Sequence, residues 1–436
     1  MHPIPFHRRV LPWVYLTIFL VLAPVLLLYT AGYDYNTKKQ TIERSGTLIV
    51  DTTPRSARIL IDGTDTHETT PTTFQHASIG THRVRVERDG YLPWERDVDI
   101  KPEQVTFANN VILWKDVLPV VQATGTYTRI ASDPQGTRVA LLATSTQGIV
   151  ILYDDTARGM SAPQLLKGST PDMHISKLAW DTGGKAVLIS DDGDAHAWWS
   201  KPLGTDAPFA EALPQALYRW TDQGLLGING NKRYRLDPEL GHLERDTMEA
   251  TTVDEEGSYA LHTSTSSAAL LLTSAHFFSD KTYALPNGAW HFTGVDSSHI
   301  LVQDQHRYMS VNVDDAVPSV LYASGDALAL NPESKSPMAL LGNNQELWLW
   351  DIINPPELLR RESSLAPSFA WHRSGFAVLF ANQTTVFASN LYHKTDRTTQ
   401  ALATFDRIFD ITVQKKSILV AGIYNGVAGM YTLTIE

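Results

Sequence analysis

A turn signal recurs along the last three quarters of the chain at intervals of 36 to 45 residues. At each position a turn lies between two apolar runs of strand length: Gly148, Gly193, Gly230, Ser266, Gln305, Asn344, Gln383 and Gly426. Two strands joined by a tight turn form a hairpin. A period of about 40 residues is typical of β-propeller blades, which have four short strands each. The repeat therefore predicts an all-β fold with a propeller over residues 115–436.

The repeat also predicts how many blades there are and how the ring closes. A short apolar strand that ends in a polar turn precedes most hairpins, as at Trp180-Asp181 and Trp371-His372. The last unit, from Ile408, has room for three strands, and residues 116–122 can supply a fourth. Closure of this kind removes exposed sheet edges. We predict eight blades, or seven if one weak repeat is an insertion, and a pair of β-sandwiches is the alternative architecture.

The N-terminus carries an apolar segment with no charged side chain from Val10 to Tyr33. About 21 helical residues at ~1.5 Å each span roughly 31 Å, enough to cross a bilayer. Aromatic residues near both ends fit the two membrane interfaces: Trp13, Tyr15 and Tyr29. We predict that residues 1–33 are a cytoplasmic tip and a transmembrane anchor that contacts the lipid bilayer.

Arg8 and Arg9 precede the apolar run, so a cleaved signal peptide is the competing interpretation. The run is long for a signal, and Thr30–Gly32 is a weak cleavage site. Basic residues flank the span on both sides, but the short N-terminal tip carries no acid. We therefore predict a single-pass protein of the cytoplasmic membrane, with the N-terminus inside and the bulk extracytoplasmic.

After a linker at residues 34–45, residues 46–114 contain alternating strand patterns typical of a small β-domain. Val84 and Val86 are expected on the opposite face from Arg83 and Arg85. Several motifs follow in order: Pro54-Arg55-Ser56-Ala57, RILIDG, Thr70-Pro71, GTHRVRV from Gly80, and Gly90-Tyr91. This order resembles the PEGA domain of surface-associated bacterial and archaeal proteins, although Arg55 and Ser56 replace the family's Glu and Gly. The resemblance implies an exported accessory or scaffolding module.

The propeller segment is similar to WD-repeat propellers at two places. Trp350-Asp351 ends a strand as the WD dipeptide does, and SDDGDAHAWW from Ser190 looks like a hairpin of that family. The resemblance implies the architecture alone, because propellers host binding proteins and enzymes alike.

Composition excludes several functions. Beyond Tyr33 the chain has 34 Lys and Arg against 47 Asp and Glu, an acidic balance that repels nucleic acid. The chain has no cysteine, which excludes disulfides, thiol catalysis and thiolate metal sites. The sequence contains no glycine-rich phosphate loop and no nucleophile elbow, so we predict no cofactor and no catalytic residues.

Two groups of polar residues have simpler explanations than catalysis or metal binding. Four side chains in one hairpin could ligate Ca²⁺, but an Asp-Gly turn accounts for them: Asp191, Asp192, Asp194 and His196. Four acids recur at equivalent repeat positions, as turn caps do: Asp181, Asp222, Asp254 and Asp296. We predict no metal site.

Aromatic residues divide into core and surface candidates. Four tryptophans lie within predicted strands and are expected to pack between blades: Trp198, Trp199, Trp348 and Trp350. Tyr91 and Trp94 flank Pro93 in a predicted loop and are the best candidates for exposed ligand contacts.

Three functions fit these observations. The first is an anchored binding protein whose propeller recognises a protein or glycan of the cell envelope. The second is a propeller hydrolase such as a glycosidase, which would need two carboxylates facing the central channel at roughly 5 to 9.5 Å. The third is a structural subunit of an envelope assembly.

Overall fold

The computed structural model divides into two compact units. The first comprises Met1–Asp116 with Asn390–Thr398 and Glu436, and the second comprises Val117–Ser389 with Thr399–Ile435. The structure describes the following residues: 6–30, 33–36, 41–191, 195–203, 206–221, 224–229, 232–237, 242–246, 251–253, 259–263, 268–272, 281–286, 290–295, 299–304, 306–312, 320–325, 327–331, 338–391 and 397–436.

The first unit begins with helix α1 (Phe6–Thr30). Nine strands follow: β1 (Tyr33–Asn36), β2 (Thr41–Arg44), β3 (Gly46–Thr53), β4 (Arg58–Ile61), β5 (Thr64–Thr69), β6 (Thr72–Ala77), β7 (Gly80–Glu87), β8 (Trp94–Ile100) and β9 (Val105–Ile112). They form a β1-β2 hairpin, a sheet ordered β6-β3-β9 and a sheet ordered β5-β4-β7-β8. The predicted linker is therefore partly structured, since Tyr33 pairs with Arg44 in the hairpin.

A shared apolar core joins the two larger sheets of this unit. Leu48 and Val50 of β3 pack with Val84 and Val86 of β7, and all four are fully buried. The expected alternation on β7 is confirmed, because Arg83 and Arg85 lie on the solvent face and pair with acids of β8. Each sheet thus buries one face, and the β5-β4-β7-β8 sheet presents charged side chains to water.

The turn at Pro54–Ala57 is held by two buried threonines. The Thr70 hydroxyl accepts a hydrogen bond from Ala57 N at 3.1 Å and bonds to the Thr52 hydroxyl at 2.7 Å. Thr52 donates to Pro54 O at 2.7 Å. A short chain of hydroxyls therefore satisfies the polar groups beneath this turn.

We expect Thr70→Val to loosen this turn, because the buried Ala57 amide loses its hydroxyl acceptor. An unpaired buried polar group costs about 1–3 kcal/mol. Hydrogen exchange of peptides covering residues 46–61 should accelerate, while exchange in the second unit stays unchanged. Thr69→Val is the matched control, because Thr69 is exposed. Equal exchange in both variants would contradict the expectation.

Within the described part of the chain, no helix is both long enough and apolar enough to cross a membrane.

The second unit consists of successive antiparallel sheets. Sheet 1 contains β11 (Tyr127–Ser132), β12 (Arg138–Ser145), β13 (Gly148–Asp155), β14 (Gly159–Met160) and β15 (Gln164–Leu165). Sheet 2 contains β16 (Ile175–Trp180), β17 (Val187–Asp191), β18 (Ala197–Lys201) and β19 (Phe209–Leu213). Sheet 3 contains β20 (Leu217–Thr221), β21 (Gly224–Asn229), β22 (Lys232–Asp237) and β23 (His242–Asp246). Sheet 4 contains β24 (Thr251–Val253), β25 (Tyr259–Thr263), β26 (Ala268–Leu272) and β27 (Lys281–Leu285).

The remaining sheets repeat the same meander. Sheet 5 contains β28 (His291–Val295), β29 (His299–Asp304), β30 (Arg307–Asn312) and β31 (Val320–Ser324). Sheet 6 contains β32 (Ala327–Leu330), β33 (Ala339–Gly342), β34 (Glu346–Trp350) and β35 (Glu357–Arg361). Sheet 7 contains β36 (Leu365–Trp371), β37 (Ala377–Asn382), β38 (Thr385–Asn390) and β39 (Thr398–Thr404).

Sheet 8 combines the two ends of this unit. Its strands are β10 (Val120–Thr124), β40 (Arg407–Gln414), β41 (Ser417–Tyr424) and β42 (Val427–Thr434). The order is β10-β42-β41-β40, with Val120 opposite Thr432 in an antiparallel pair. The predicted extra strand is thus found at the expected place. Successive four-stranded sheets of this kind make a β-propeller.

The core of the propeller lies between neighbouring sheets. Trp198 of sheet 2 packs with Leu142 and Ile151 of sheet 1, whereas Trp199 packs with Tyr218 and Leu225 of sheet 3. Middle strands are therefore buried on both faces, and all five residues of β17 are buried. The predicted packing is confirmed for Trp198, Trp199 and Trp350, which are at most 1 % exposed, and Trp348 is half-buried beside Trp350.

Gly148 begins β13 with a φ of +144°. A Cβ at this position would lie 2.6 Å from Ser169 O, so a side chain does not fit. The turn signal at Gly148 therefore marks a place where the backbone needs glycine. Hairpins are confirmed around Asn344, Gln383 and Gly426 as well. Four of the predicted turn positions lie outside the described residues: Gly193, Gly230, Ser266 and Gln305.

Candidate functional site

The candidate site lies where the edge strands of neighbouring sheets meet. Strand β11 contacts β16 on one side and β40 on the other, and β40 also contacts β36. These strands have one edge that no strand of their own sheet pairs. Backbone groups on that edge need partners from elsewhere, since unpaired buried groups are costly.

Side chains from neighbouring sheets supply those partners to β11. Ile130 N donates to Asp410 Oδ2 at 3.0 Å, and Ser132 N donates to Thr412 Oγ1 at 3.2 Å. Gln414 Nε2 donates to Gly136 O at 3.0 Å just beyond the strand. Sheet 8 is therefore hydrogen-bonded to sheet 1 at Ile130 and Ser132 of β11 and at the turn that follows.

Tryptophans make the corresponding link between other neighbouring sheets. The indole of Trp180 donates to Ala131 O at 2.9 Å, and that of Trp220 donates to Ala179 O at 2.8 Å. Trp371 repeats the bond toward sheet 6, donating to Ala329 O at 2.9 Å. The strand-ending tryptophans of the repeat are thus inter-sheet bonds that recur with the period of the blades.

Aspartates cap the turns that follow these strands. Asp181 Oδ1 accepts from Lys185 N and Ala186 N at 2.6 and 2.7 Å. Asp133 accepts from Thr137 N at 2.7 Å and from Arg138 N at 3.1 Å. The predicted role of Asp181 as a turn cap is confirmed, whereas Asp222, Asp254 and Asp296 lie outside the described residues.

A buried ionic contact joins the edge strands β11 and β40. The Asp410 side chain is 1 % exposed, and its Oδ2 lies 3.6 Å from Arg129 Nε. Burial raises the pKa of the Asp410 carboxyl above its usual range, and the Arg129 guanidinium and a hydrogen bond from Ser368 partly oppose the increase. Arg129 also donates to Ser176 O. This contact therefore connects four successive edge strands, from β36 to β16.

A crevice of about 420 Å³ opens at the C-terminal ends of β11, β16 and β40. It is lined by Ala131, Ser132, Asp133, Pro134, Gly136, Leu178, Ala179, Trp180, Thr412, Val413, Gln414 and Lys415. Its lining is mixed, with more polar than apolar surface, and Leu178, Val413 and Pro134 contribute apolar side chains. Its volume is within the range of ligand pockets.

Lys415 gives the crevice its electrostatic character. The Lys415 Cγ and Cε atoms lie 3.2 and 3.4 Å from where a Cβ of Gly136 would be, so its aliphatic chain lies along the Gly136 turn. Lys415 is exposed and makes no ion pair with a described residue. The nearest lining acid, Asp133, is buried and has Arg138 Nε 3.7 Å away. Among the described residues that line the crevice, Lys415 is thus the exposed cation, whereas the carboxylate of Asp133 is engaged inside its own turn.

The sequence did not single out Asp410, Arg129 or Lys415. The available signal was an acid inside the apolar strand around Asp410, since buried acids are rare unless they are paired. Nothing in the sequence brought Lys415 close to Gly136, because 279 positions separate them along the chain.

The predicted surface aromatics need a correction. Trp94 is only 2 % exposed, because β8 begins at this residue and turns it into the apolar core of the first unit. The prediction that Trp94 is exposed is therefore wrong. Tyr91 is half-buried against the same core, with the Arg88 guanidinium 5.5 Å from its ring.

The hairpin considered for Ca²⁺ is partly described. His196 Nδ1 lies 2.7 Å from Asp191 Oδ2, and His196 N donates to the other oxygen at 2.8 Å. Asp192 and Asp194 lie outside the described residues. Among the side chains that the structure describes, no group of three or more metal-ligating residues occurs.

The residues predicted to face the membrane lie on or near α1. Trp13 and Tyr15 are 70 % and 63 % exposed. The side chains of Arg8, Arg9 and Tyr29 lie outside the described set.

Comparison with known proteins gives one domain match and several structural matches. Residues 45–112 match the PEGA domain. No curated protein matches the chain. Among solved structures, the Dos1 propeller is 13% identical, with a TM-score of 0.45 over 74% of this chain and 96% of its own. Saccharomyces cerevisiae Sqt1 is 9% identical, with a TM-score of 0.46 over 74% of this chain and 98% of its own.

The Cps50 (Swd1) β-propeller domain of Myceliophteria thermophila is 11% identical, with a TM-score of 0.42 over 71% of this chain and 98% of its own. The propeller architecture of this protein rests on its own sheet order. Its first unit contains a segment that matches the PEGA domain, and its second unit has the sheet order of a β-propeller.

Proposed function

We propose that this protein is a membrane-attached, extracytoplasmic binding protein whose propeller recognises another protein of the cell envelope. The crevice at the ends of β11, β16 and β40 is the observation that carries the proposal. It combines several apolar side chains with a lysine that has no ion-pair partner among the described residues. Such a surface is suited to a partner that supplies both apolar and acidic groups.

We infer that the propeller is a closed ring of eight blades. The pairing of β10 with β42 supports closure, and so do the bonds from sheet 8 to the edge of β11. Sheets 2 to 7 each pair four consecutive strands in chain order, sheet 1 adds a fifth short strand, and sheet 8 completes its meander with β10. In a closed ring, no blade has to leave an edge unprotected.

A protein partner is favoured over a glycan. Sugar binding commonly needs an exposed aromatic face, whereas Trp198, Trp199 and Trp350 are buried between sheets. Trp180, which lines the crevice, already donates its indole N–H to Ala131 O. The wall of the crevice therefore resembles a protein-binding surface more closely than a sugar platform.

Membrane attachment through α1 is the second part of the proposal. The sequence has no charged residue between Val10 and Tyr33, and large apolar side chains of α1 are exposed, including Phe19 at 68 %. An exposed apolar surface of this extent needs a partner, and a bilayer provides one. We propose a single pass, with the N-terminus inside and the chain after Tyr33 outside.

Cell fractionation tests the attachment. We expect the full chain to remain in the membrane fraction after a carbonate wash, and a chain that lacks residues 1–32 to be released. Protease added to spheroplasts should digest the region after Tyr33. Recovery of the full chain in the soluble fraction, or complete protection from protease, would refute this part of the proposal.

Site-directed crosslinking tests partner binding. A photo-reactive residue at Gln135, which is exposed beside the crevice, should capture an envelope protein in intact cells. The same probe at exposed Gln147, which does not line the crevice, is the control. Capture of only other copies of this chain would instead favour a structural subunit of an assembly.

A further inference from the structure

We propose that the crevice binds an acidic segment of the partner, with Lys415 as the residue that recognises a carboxylate. This inference rests on the proposed binding function and specifies the chemistry of the partner. Its evidence is the combination of shape, charge and fixed geometry at one place in the second unit.

The position of Lys415 is set by its neighbours. Its φ of +43° turns the backbone at the end of β40, and its chain lies along Gly136, where a side chain would collide with it. The neighbouring Gln414 holds Gly136 O at 3.0 Å and so fixes the distance between the two turns. The aliphatic chain of Lys415 is therefore held beside Gly136, and both residues line the crevice.

The acids nearby are already engaged. Asp133 accepts two backbone hydrogen bonds and one from the Thr137 hydroxyl, with Arg138 close by. Asp181 accepts backbone bonds from its own turn. Neither carboxylate contacts Lys415, so an external carboxylate is the complementary partner for this cation.

The overall negative charge of the chain does not prevent an acidic segment from binding in the crevice. The formal net charge is −11, but charges beyond a Debye length of about 8 Å are largely screened at physiological salt. The charges at the crevice are Lys415, the adjacent exposed Lys416, and Asp133, whose carboxylate lies 3.7 Å from Arg138 Nε. A dense polyanion such as nucleic acid would still meet the acidic remainder of the surface.

The wall of the crevice adds a second requirement. Leu178, Val413 and Pro134 supply apolar contacts next to the cation. A volume of about 420 Å³ admits a short stretch of chain rather than a folded surface. The partner segment therefore combines an acidic side chain with a neighbouring apolar one.

Fluorescence anisotropy with the full chain in detergent tests the inference. The probe is a labelled peptide of alternating glutamate and leucine, and its lysine–leucine counterpart is the comparison. We expect the glutamate peptide to bind, and Lys415→Glu and Lys415→Met to weaken its binding about tenfold or more, because a charged hydrogen bond is lost. Lys415→Arg should retain binding.

Lys167→Glu is the matched control, since it makes the same charge change at an exposed residue away from the crevice. No binding of the glutamate peptide, equal binding of the lysine peptide, or an equal loss in the Lys167 variant would overturn the inference. The crosslinking experiment separates the two proposals. If Lys415→Glu still captures the same envelope protein, the acidic-segment inference fails and the binding function stands.

Discussion

A chain that begins at Val117 should fold cooperatively, whereas one that begins at Gly125 should not. The two chains differ by eight residues, which include β10 (Val120–Thr124). Without β10, the outer edge of β42 loses its antiparallel partner, and the side chain of Ala123 no longer packs near Met430 and Leu419. An unpaired edge of this length also invites association with other chains.

Thermal unfolding and size-exclusion chromatography would measure the effect. We expect the shorter chain to melt at least about 10 °C lower or to elute as aggregates, because losing a few kcal/mol is a large fraction of total stability. The longer chain already lacks the first 116 residues, so it controls for their removal. Equal melting temperatures and equal elution would contradict the role of β10.

One substitution in the full chain should also disrupt the pairing of β10 with β42. A Cβ at Gly429 would lie 2.6 Å from Ala123 O, a backbone atom of β10. Gly429→Ala should therefore displace β10 and lower the melting temperature, as removal of β10 does. Gly159→Ala is a useful comparison, because Gly159 also lies in a strand and nothing lies within 4 Å of its Cβ position, although its φ of +79° brings some backbone strain.

Asp410→Ala should destabilise the propeller by about 3–5 kcal/mol, the usual result of removing one partner of a buried ion pair. The substitution leaves Ile130 N without its acceptor and Arg129, with a side chain only 11 % exposed, without its carboxylate. Asp410→Asn should cost less, because the amide oxygen can still accept from Ile130 N. Urea unfolding of both variants gives the difference in free energy.

The pH dependence of the free energy of unfolding separates the contribution of the Asp410 charge from that of its hydrogen bonds. Because burial raises the pKa of Asp410, the folded state binds more protons than the unfolded state above pH ~3.9, the ordinary value for Asp. The Asp410 carboxyl contributes its full stabilisation below that pH. This contribution is lost as the pH rises through the pKa of Asp410 in the folded state. The stability of the wild type relative to Asp410→Asn should therefore decrease as pH increases from about 4. An increase would contradict the assigned direction.

Periodic features were predictable from the sequence because they depend on local chemistry. Gly148 marks a turn that admits no side chain. The inter-sheet bond of Trp180 recurs at Trp220 and Trp371, and Asp181 caps its own turn. Strand β17, by contrast, shows no alternation, since sheets pack on both of its faces. Its length and flanking turns identified it as a strand.

Features that depend on distant parts of the chain were not predictable. Trp94 was expected in a loop because Pro93 precedes it, but pairing with Val86 places it at the start of a strand and in the core. Asp410 meets Arg129 only when sheet 8 meets sheet 1. The crevice is a product of the same meeting, so no local pattern could indicate Lys415.

The pairing of β10 with β42 also sets the order of events during synthesis. Roughly 300 residues separate these strands, and at ~5–20 residues per second the ribosome needs on the order of 15–60 s to make them. During that time β10 has left the ribosome but its partner does not exist. A nascent chain therefore leaves β10 without its native partner until the hairpin of β41 and β42 emerges, so synthesis of that hairpin decides when sheet 8 can form.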